Sequence, residues 1–279
     1  MNILLSVFMS AALLATAAEP PRGRLVVVGG GATRPEVYER ILELAGGKRA
    51  RVVVVPQASR DPEAGQKMAA RWQEVGAGEV VVLDPTQPRI ARSAIESADL
   101  FWVRGGSQTR LMEALAGTGL PEAIRDRFHR GAVIGGTSAG AAVMSRVMIT
   151  GWSGGQADSV RTAEGLGLWP EVIVDQHFIR RHRFERLKGV VLDHPDLVGI
   201  GIDEATAVVV TGRQFEVIGE SDVVVIDARK LASALDKDRD KAAAKVARDA
   251  ADVATQILKP GMKYDLDAGV MAGPIASGG

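Results

Sequence analysis

The sequence contains no cysteine and only four histidines in 279 residues. The absence of cysteine excludes disulfides, a thiol nucleophile and any zinc site that depends on thiolates. The histidines are His129, His177, His182 and His194. No two of them have the spacing of a helical His-Glu-x-x-His site, so the sequence predicts no metal centre.

Neither sign of charge is in excess, since 34 basic residues balance 34 acidic residues. A chain without net charge has no strong field to attract nucleic acid or an anionic membrane, so we expect neither partner.

The N-terminus is apolar but too short to span a bilayer. Residues 1–18 end in small side chains, and Ala15, Thr16 and Ala17 fit the small-x-small pattern of a secretory signal, although no lysine or arginine precedes them. We therefore expect a signal peptide over residues 1–18 and a secreted or periplasmic protein. No linker-like stretch divides residues 19–279, which predicts one domain.

Continuous runs of Val, Ile and Leu alternate with amphipathic helical patterns over the first half of the chain. The strand-like runs are residues 24–28, 51–55, 79–83 and 100–103, and a fifth begins at residue 132. Such runs are typical of parallel strands that helices bury on both faces. The pattern predicts an α/β fold with a doubly wound, mostly parallel sheet.

Three glycine-containing loops follow predicted strands, at residues 29–31, 104–108 and 136–138. Because ligands bind beyond the carboxyl ends of parallel strands, we expect these loops to face one crevice. Residues 29–31 lack the third glycine of a dinucleotide-binding motif, and no acid closes the second strand. We therefore expect no dinucleotide site here, and we expect the protein to act without a cofactor.

The second half of the chain has a different pattern. Residues 151–167 are rich in Gly and Ser and predict a loop over the site. Short strand patterns cover residues 198–202, 206–211, 215–218 and 223–226, and the turns between them indicate a β-meander. Residues 228–258 are rich in Ala and charges, with Val246, Val253 and Ile257 at helical spacing, which predicts a C-terminal helix with a solvated face.

Residues 136–140 read Gly-Thr-Ser-Ala-Gly at the junction of an apolar strand and an Ala-rich helical segment. This G-x-S-x-G pattern is typical of a nucleophile elbow, in which a serine occupies a strained strand-to-helix turn that bulky neighbours would crowd. The sequence predicts Ser138 as a nucleophile. The alternative is a plain connection whose small residues only allow the helix to pack closely.

A serine nucleophile needs a base and a group that orients the base. His177 is the candidate base because it follows a predicted strand and has polar neighbours, although a hydrogen-bonded loop histidine is the alternative. Glu204 and Asp203 end another apolar strand, and we take Glu204 as first choice and Asp203 as second. The order Ser, His, Glu differs from that of α/β-hydrolases.

The oxyanion of the reaction needs backbone donors near the nucleophile. The Ala139 N–H follows Ser138 directly, and the Gly106 N–H belongs to a neighbouring loop. Four arginines lie close together after His177, at positions 180, 181, 183 and 186. Their mutual repulsion and fork-shaped donors predict a carboxylate-binding site, whereas a solvated basic helix face is the alternative.

Three segments together resemble the cyanophycinase family of serine peptidases, which is related to peptidase E. They are Gly-Gly-Thr-Ser-Ala-Gly-Ala at 135–141, Asp-Gln-His-Phe at 175–178 with the arginines after it, and Gly-Ile-Gly-Ile-Asp-Glu at 199–204. The resemblance covers residues 25–266. One departure is Ser107, where the family has Asp in Gly-Gly-Asp-Gln.

The resemblance implies a fold similar to class I glutamine amidotransferases and one serine hydrolase domain over residues 19–279. It implies Ser138, His177 and Glu204 as the catalytic residues. It also implies substrate contacts by Gln108, Asp175, Gln176, Arg181, Arg183 and Arg186.

The implied reaction is hydrolysis of cyanophycin, a polyaspartate with an arginine on each side-chain carboxyl, to β-aspartyl-arginine dipeptides. A homodimer is also implied. The alternatives are an aspartyl or isoaspartyl dipeptidase that acts on β-aspartyl peptides, and a catalytically silent scaffold that binds ligands.

Overall fold

The structure, a computed structural model, describes residues 21–152, 160–230 and 253–273. The expected signal peptide lies outside these residues, as does most of the expected C-terminal helix. No helix of the described part is long and apolar enough to cross a membrane.

The described chain alternates strands and helices up to the nucleophile and is richer in strands after it. The strands are β1 (Arg24–Val28), β2 (Arg51–Val55), β3 (Glu79–Val82), β4 (Leu100–Val103), β5 (Val133–Thr137), β6 (Val147–Trp152), β7 (Val160–Glu164), β8 (Val172–Gln176), β9 (Val198–Ile202), β10 (Thr206–Thr211), β11 (Gln214–Gly219), β12 (Val223–Asp227), β13 (Ala254–Leu258), β14 (Lys263–Asp265) and β15 (Val270–Ala272). The helices are α1 (Pro35–Leu44), α2 (Ala64–Val75), α3 (Pro88–Ser97), α4 (Gln108–Leu115), α5 (Leu120–His129), α6 (Ala139–Ala142) and α7 (Phe184–Asp193).

The central sheet has the order β15-β14-β11-β10-β1-β5-β4-β2-β3. Strands β1, β5, β4, β2 and β3 are parallel, and the remaining neighbours are antiparallel. Alternate residues of β1 face opposite layers: Leu25 and Val27 contact the layer with α3 to α6, and Val26 and Val28 contact the layer with α1 and α2. The predicted doubly wound α/β fold is confirmed.

A second sheet, of order β13-β12-β9-β8, packs against the central sheet on the side of α3 to α6. Val172 and Val174 of β8 face the central core, whereas Ile173 packs with Leu187 of α7 on the outer side. Because β8 and β9 are parallel, Gln176 and Ile202 lie in register at the same end. This second sheet brings two further strand ends to the crevice.

The structure corrects the expected arrangement of the later strands. Strands β10 and β11 form a hairpin in the central sheet, which continues from β11 to β14 and β15. Strands β9 and β12, which were expected in the same meander, belong to the second sheet. Residues 254–258 form β13, so Ile257 lies on a strand and not on a helix. Part of the expected loop at 151–167 is β7, paired with β6.

Candidate active site

Ser138 lies on a sharp turn between β5 and α6. Its backbone angles are φ 54° and ψ −114°, which residues other than glycine rarely adopt. A Cβ on Gly136 would lie 2.5 Å from the Gly140 carbonyl oxygen, and one on Gly140 would lie 2.1 Å from that of Val103. Both glycines of the G-x-S-x-G pattern are therefore required by crowding. The helix after the turn is only one turn long, shorter than the Ala-rich segment predicted.

A chain of hydrogen bonds joins Ser138 to two residues from the second sheet. The Ser138 Oγ lies 2.8 Å from the His177 Nε2, and the His177 Nδ1 lies 2.6 Å from the Glu204 Oε1. His177 follows β8 directly, and Glu204 follows β9 after one residue. The parallel pairing of β8 with β9 brings His177 and Glu204 together, and the packing of the two sheets brings them to Ser138 at the end of β5.

Asp203 precedes Glu204, but within the described part of the chain its carboxylate forms no hydrogen bond with the His177 imidazole. Its Oδ1 accepts a hydrogen bond from the Arg180 N–H at 2.9 Å, and its Oδ2 accepts one from the Ser221 hydroxyl at 3.0 Å. Asp203 therefore holds the loop that follows His177. Of the two carboxylates left open by the sequence, Glu204 is the partner of the imidazole.

The loop Gly29–Gly31 after β1 packs against His177. The backbone N–H of His177 donates to the Gly29 carbonyl oxygen at 2.7 Å, and His177 has a positive φ of 51°. A Cβ on Gly30 would lie 2.4 Å from the ring, and one on Gly31 would lie 3.0 Å from the Glu204 Cβ. The sequence predicted that this loop faces the crevice and rejected it as a dinucleotide site, but it did not predict its contact with the catalytic residues. The glycines leave room for His177 and Glu204.

We predict that Gly30→Ala lowers kcat/KM by about 100-fold, because the new methyl group displaces the imidazole from the Ser138 hydroxyl. Gly46→Ala is the matched control. Gly46 has a similar φ of 105°, against 110° for Gly30, but no described residue lies within 4 Å of its Cβ position. Steady-state kinetics and thermal unfolding of both variants separate displacement from backbone strain. Equal losses of activity in the two variants would contradict this role of Gly30.

The pKa of His177 lies below the ordinary value of 6.5. Burial is the main cause, since the imidazolium loses solvation, and it outweighs the hydrogen bond to Glu204, which raises the pKa. The positive charges of Arg181 and Arg183 lower the pKa further. The imidazole is therefore neutral at neutral pH, as a general base requires.

Two backbone loops border the Ser138 side chain. A Cβ on Gly105 would lie 3.2 Å from the Ser138 Cβ, so the loop after β4 approaches the nucleophile closely. Among the described residues, neither the Gly106 N–H nor the Ala139 N–H has a hydrogen-bond acceptor. Ser107 caps α4 by accepting a hydrogen bond from the Arg110 N–H at 3.3 Å.

A buried ion pair joins Asp175, two residues before His177, to Arg186 of α7. Arg186 donates from Nε to the Asp175 Oδ2 at 2.7 Å and from Nη2 to the Asp175 Oδ1. The side chains of Asp175 and Arg186 are 0% and 8% exposed. The expected substrate contacts of these two residues remain a prediction, and in this structure their charged groups bind each other.

Arg183 and Gln176 extend this cluster, since the Arg183 Nη1 lies 3.4 Å from the Asp175 Oδ1. The Arg183 Nη1 donates to the Gln176 Oε1 and to the Gln176 carbonyl oxygen, each at 2.6 Å. Burial and the neighbouring Arg186 and Arg181 lower the Arg183 pKa to about 10, against the opposing effect of Asp175. Arg183 remains charged at neutral pH and is fixed at the start of α7.

The remaining predicted substrate contacts differ in their surroundings. Arg181 is exposed, and its guanidinium has no hydrogen-bond or ion-pair partner among the described residues. The Gln108 side chain donates to the Ile149 carbonyl oxygen at 2.6 Å. Within the described part of the chain, no three His, Asp or Glu side chains come together as metal ligands.

Comparisons with known proteins agree with this arrangement. The sequence matches the profile of Peptidase family S51 over residues 25–218. It is 40% identical to a cyanophycinase from Geminocystis herdmanii over 225 residues, which cover 75% of this chain and 82% of that protein. It is 38% identical to a cyanophycinase from Trichormus variabilis over 74% of each chain.

Two solved structures share the fold. A peptidase from an acI-B1 actinobacterium superimposes with a TM-score of 0.63 at 22% identity, over 87% of this chain and 96% of that one. A putative peptidase E protein from Listeria monocytogenes superimposes with a TM-score of 0.53 at 18% identity, over 71% and 99%. From the family match and the identity to its relatives, this chain belongs to Peptidase family S51 and is a serine-type peptidase.

Proposed function

We propose that this protein hydrolyses cyanophycin to β-aspartyl-arginine dipeptides through an acyl-enzyme. The observation that carries the proposal is the hydrogen-bonded chain from Ser138 through His177 to Glu204. The relatives named as cyanophycinases support the choice of substrate.

In the first half of the reaction, the Ser138 Oγ attacks the scissile carbonyl carbon as the His177 Nε2 accepts its proton. Glu204 stabilises the imidazolium through its hydrogen bond to Nδ1. The Ala139 and Gly106 N–H groups donate to the oxyanion. The C–N bond then breaks, and His177 gives its proton to the leaving amine, which leaves an ester on Ser138.

In the second half, water attacks the ester carbonyl carbon and His177 accepts one of the water protons. The C–O bond to Ser138 breaks, and the serine oxygen takes the proton back from His177. The products are a free carboxylate and the starting enzyme.

The arginines beside His177 suit a substrate with free carboxylates. Every arginine unit of cyanophycin carries one, and Arg181 offers an exposed guanidinium at the rim of the crevice. We propose that the amide groups of Gln108 and Gln176 also contact the substrate. We propose that Asp175 and Arg186 act mainly by holding Gln176 and His177, because their charges already neutralise each other.

The acid limb of the pH profile tests the electrostatics of the base. Because Arg181 lowers the pKa of His177, we predict that Arg181→Gln raises this pKa and moves the acid limb of kcat/KM to higher pH. Arg180→Gln, at an exposed neighbouring position, is the control and should leave the midpoint unchanged. An acid limb that stays in place or moves to lower pH in Arg181→Gln would contradict this effect of Arg181 on the pKa of His177.

We also propose that residues 1–18 are removed on export to the periplasm or the medium, and that the mature protein is a homodimer. Export suits a polymer too large to enter a cell. N-terminal sequencing of the protein recovered outside the cytoplasm tests the first proposal, and sedimentation equilibrium tests the second.

Product analysis tests the proposed function. Purified protein incubated with cyanophycin should release β-aspartyl-arginine, identified by chromatography and mass spectrometry, faster than it hydrolyses simple aspartyl or isoaspartyl dipeptides. Hydrolysis of the dipeptides with an intact polymer would favour the dipeptidase. If the protein hydrolysed neither the polymer nor the dipeptides, the result would favour a catalytically silent scaffold that binds ligands.

A further inference from the structure

Arg104 borders the nucleophile on the side away from His177. It follows β4 directly, and the next residue, Gly105, is the one whose backbone approaches Ser138. Strand β5, which ends at the nucleophile, lies between β1 and β4 in the sheet. His177 packs over the loop after β1, so Arg104 and His177 are on opposite sides of Ser138.

The guanidinium of Arg104 is half-buried. Its Nη1 donates to the Ser59 hydroxyl at 3.2 Å, and no acidic group of the described residues forms an ion pair with it. The nearby Asp61 forms an ion pair with Lys67 instead, with 3.0 Å between the Asp61 Oδ2 and the Lys67 Nζ. A partly desolvated cation with one neutral partner is stabilised when an anion binds beside it.

The neighbouring Arg71, unlike Arg104, has a carboxylate partner among the described residues. Arg71 of α2 lies over the Tyr38 ring at 5.2 Å and pairs with Glu74 at 3.2 Å. Arg71 and Arg104 are both near enough to Tyr38 to lower its pKa, against the larger, opposite effect of burial. The two arginines thus share a neighbourhood, but only Arg104 lies at the carboxyl end of a strand in the crevice.

We propose that Arg104 binds a carboxylate of the substrate on the opposite side of Ser138 from Arg181 and Arg183. The inference rests on the proposed function. Because cyanophycin carries one free carboxylate on every unit, the units before and after the scissile bond present two. A guanidinium on each side of the nucleophile matches this repeat and selects for a polymer over a simple dipeptide.

The test is a comparison of two soluble substrates, a trimer of β-aspartyl-arginine units with free arginine carboxylates and the same trimer with those carboxylates amidated. The parent should prefer the free acid. Arg104→Gln should lose about 10- to 100-fold of that preference in kcat/KM, the range expected for a charge-assisted hydrogen bond. Arg71→Gln is the matched control and should keep the parental preference.

Reaction of Ser138 with a phosphonofluoridate at the parental rate shows that a variant has kept its nucleophile. If Arg104→Gln does not fold, Arg104→Lys takes its place, and the loss of the planar fork should reduce the preference severalfold.

An unchanged preference in a folded Arg104 variant would overturn the inference and leave the proposed function intact. A parent that cuts neither trimer nor polymer would overturn both. An equal loss with the free and the amidated trimer would show that Arg104 only supports the loop, and would also overturn the inference.

Discussion

Ser138→Ala is expected to lower kcat on cyanophycin by roughly six orders of magnitude, because the attacking oxygen is lost and no other hydroxyl replaces it. The backbone at Ser138 is strained for alanine and serine alike, so the substitution leaves the turn as it is. We therefore expect a folded protein that still binds the polymer. Dipeptide release over long incubations, measured by chromatography, sets the residual rate.

Ser145→Ala is the matched control for this variant. Ser145 is fully buried, and its hydroxyl accepts a hydrogen bond from the Val174 N–H at 2.9 Å, away from the reaction. Its loss should destabilise the fold by about 1–3 kcal/mol and leave kcat near the parental value. A Ser138→Ala protein with near-parental turnover would show that another group is the nucleophile.

Glu204→Gln is expected to lower kcat by roughly 1000-fold. The amide keeps the size of the side chain, but it carries no negative charge to stabilise the imidazolium and favours the wrong tautomer of His177. The Glu204 side chain is 33% exposed, so water takes over part of its role and the loss is smaller than for a buried acid. Steady-state kinetics at the pH optimum measure the effect.

Asp203→Asn separates the two neighbouring acids. The amide oxygen of the variant still accepts a hydrogen bond from the Arg180 N–H, and the carboxylate that bonds to the imidazole is that of Glu204. We expect less than about a tenfold loss of kcat, together with reduced thermal stability. If Asp203→Asn lost more activity than Glu204→Gln, the assignment of the third residue would be wrong.

The features predicted well from the sequence are those set by local chemistry. A strained serine requires small neighbours two residues away, and the structure shows the crowding at Gly136 and Gly140. Strands buried on both faces need continuous apolar runs, which marked β1, β2 and β4 to the residue. Both signals lie within a few residues of the feature that they predict.

The arrangement of the later strands depends on tertiary pairing instead. Short β-rich segments with turns between them fit a meander as well as two separate sheets, because each strand alone has the same pattern. Ile257 and Val253 have helical spacing, yet residues 254–258 pair with β12. Nothing in the local sequence distinguishes these alternatives.

Two parts of the site depend on contacts between distant segments. The role of Gly30 appears only when His177, nearly 150 residues later, is packed against it. The arginine cluster likewise predicted a free anion site, whereas burial pairs Arg186 with Asp175 and leaves Arg181 exposed. A cluster of arginines in the sequence indicates that anions must neutralise it, but it does not indicate whether those anions are side chains of the same chain or groups of a ligand.

The most direct test of the central claim is labelling of the protein with a phosphonofluoridate, followed by peptide mapping with mass spectrometry. Only an activated serine reacts readily with this reagent. We predict one adduct per chain, on Ser138, with formation slowed strongly in His177→Ala. Absence of an adduct, or an adduct on another serine, would contradict the account.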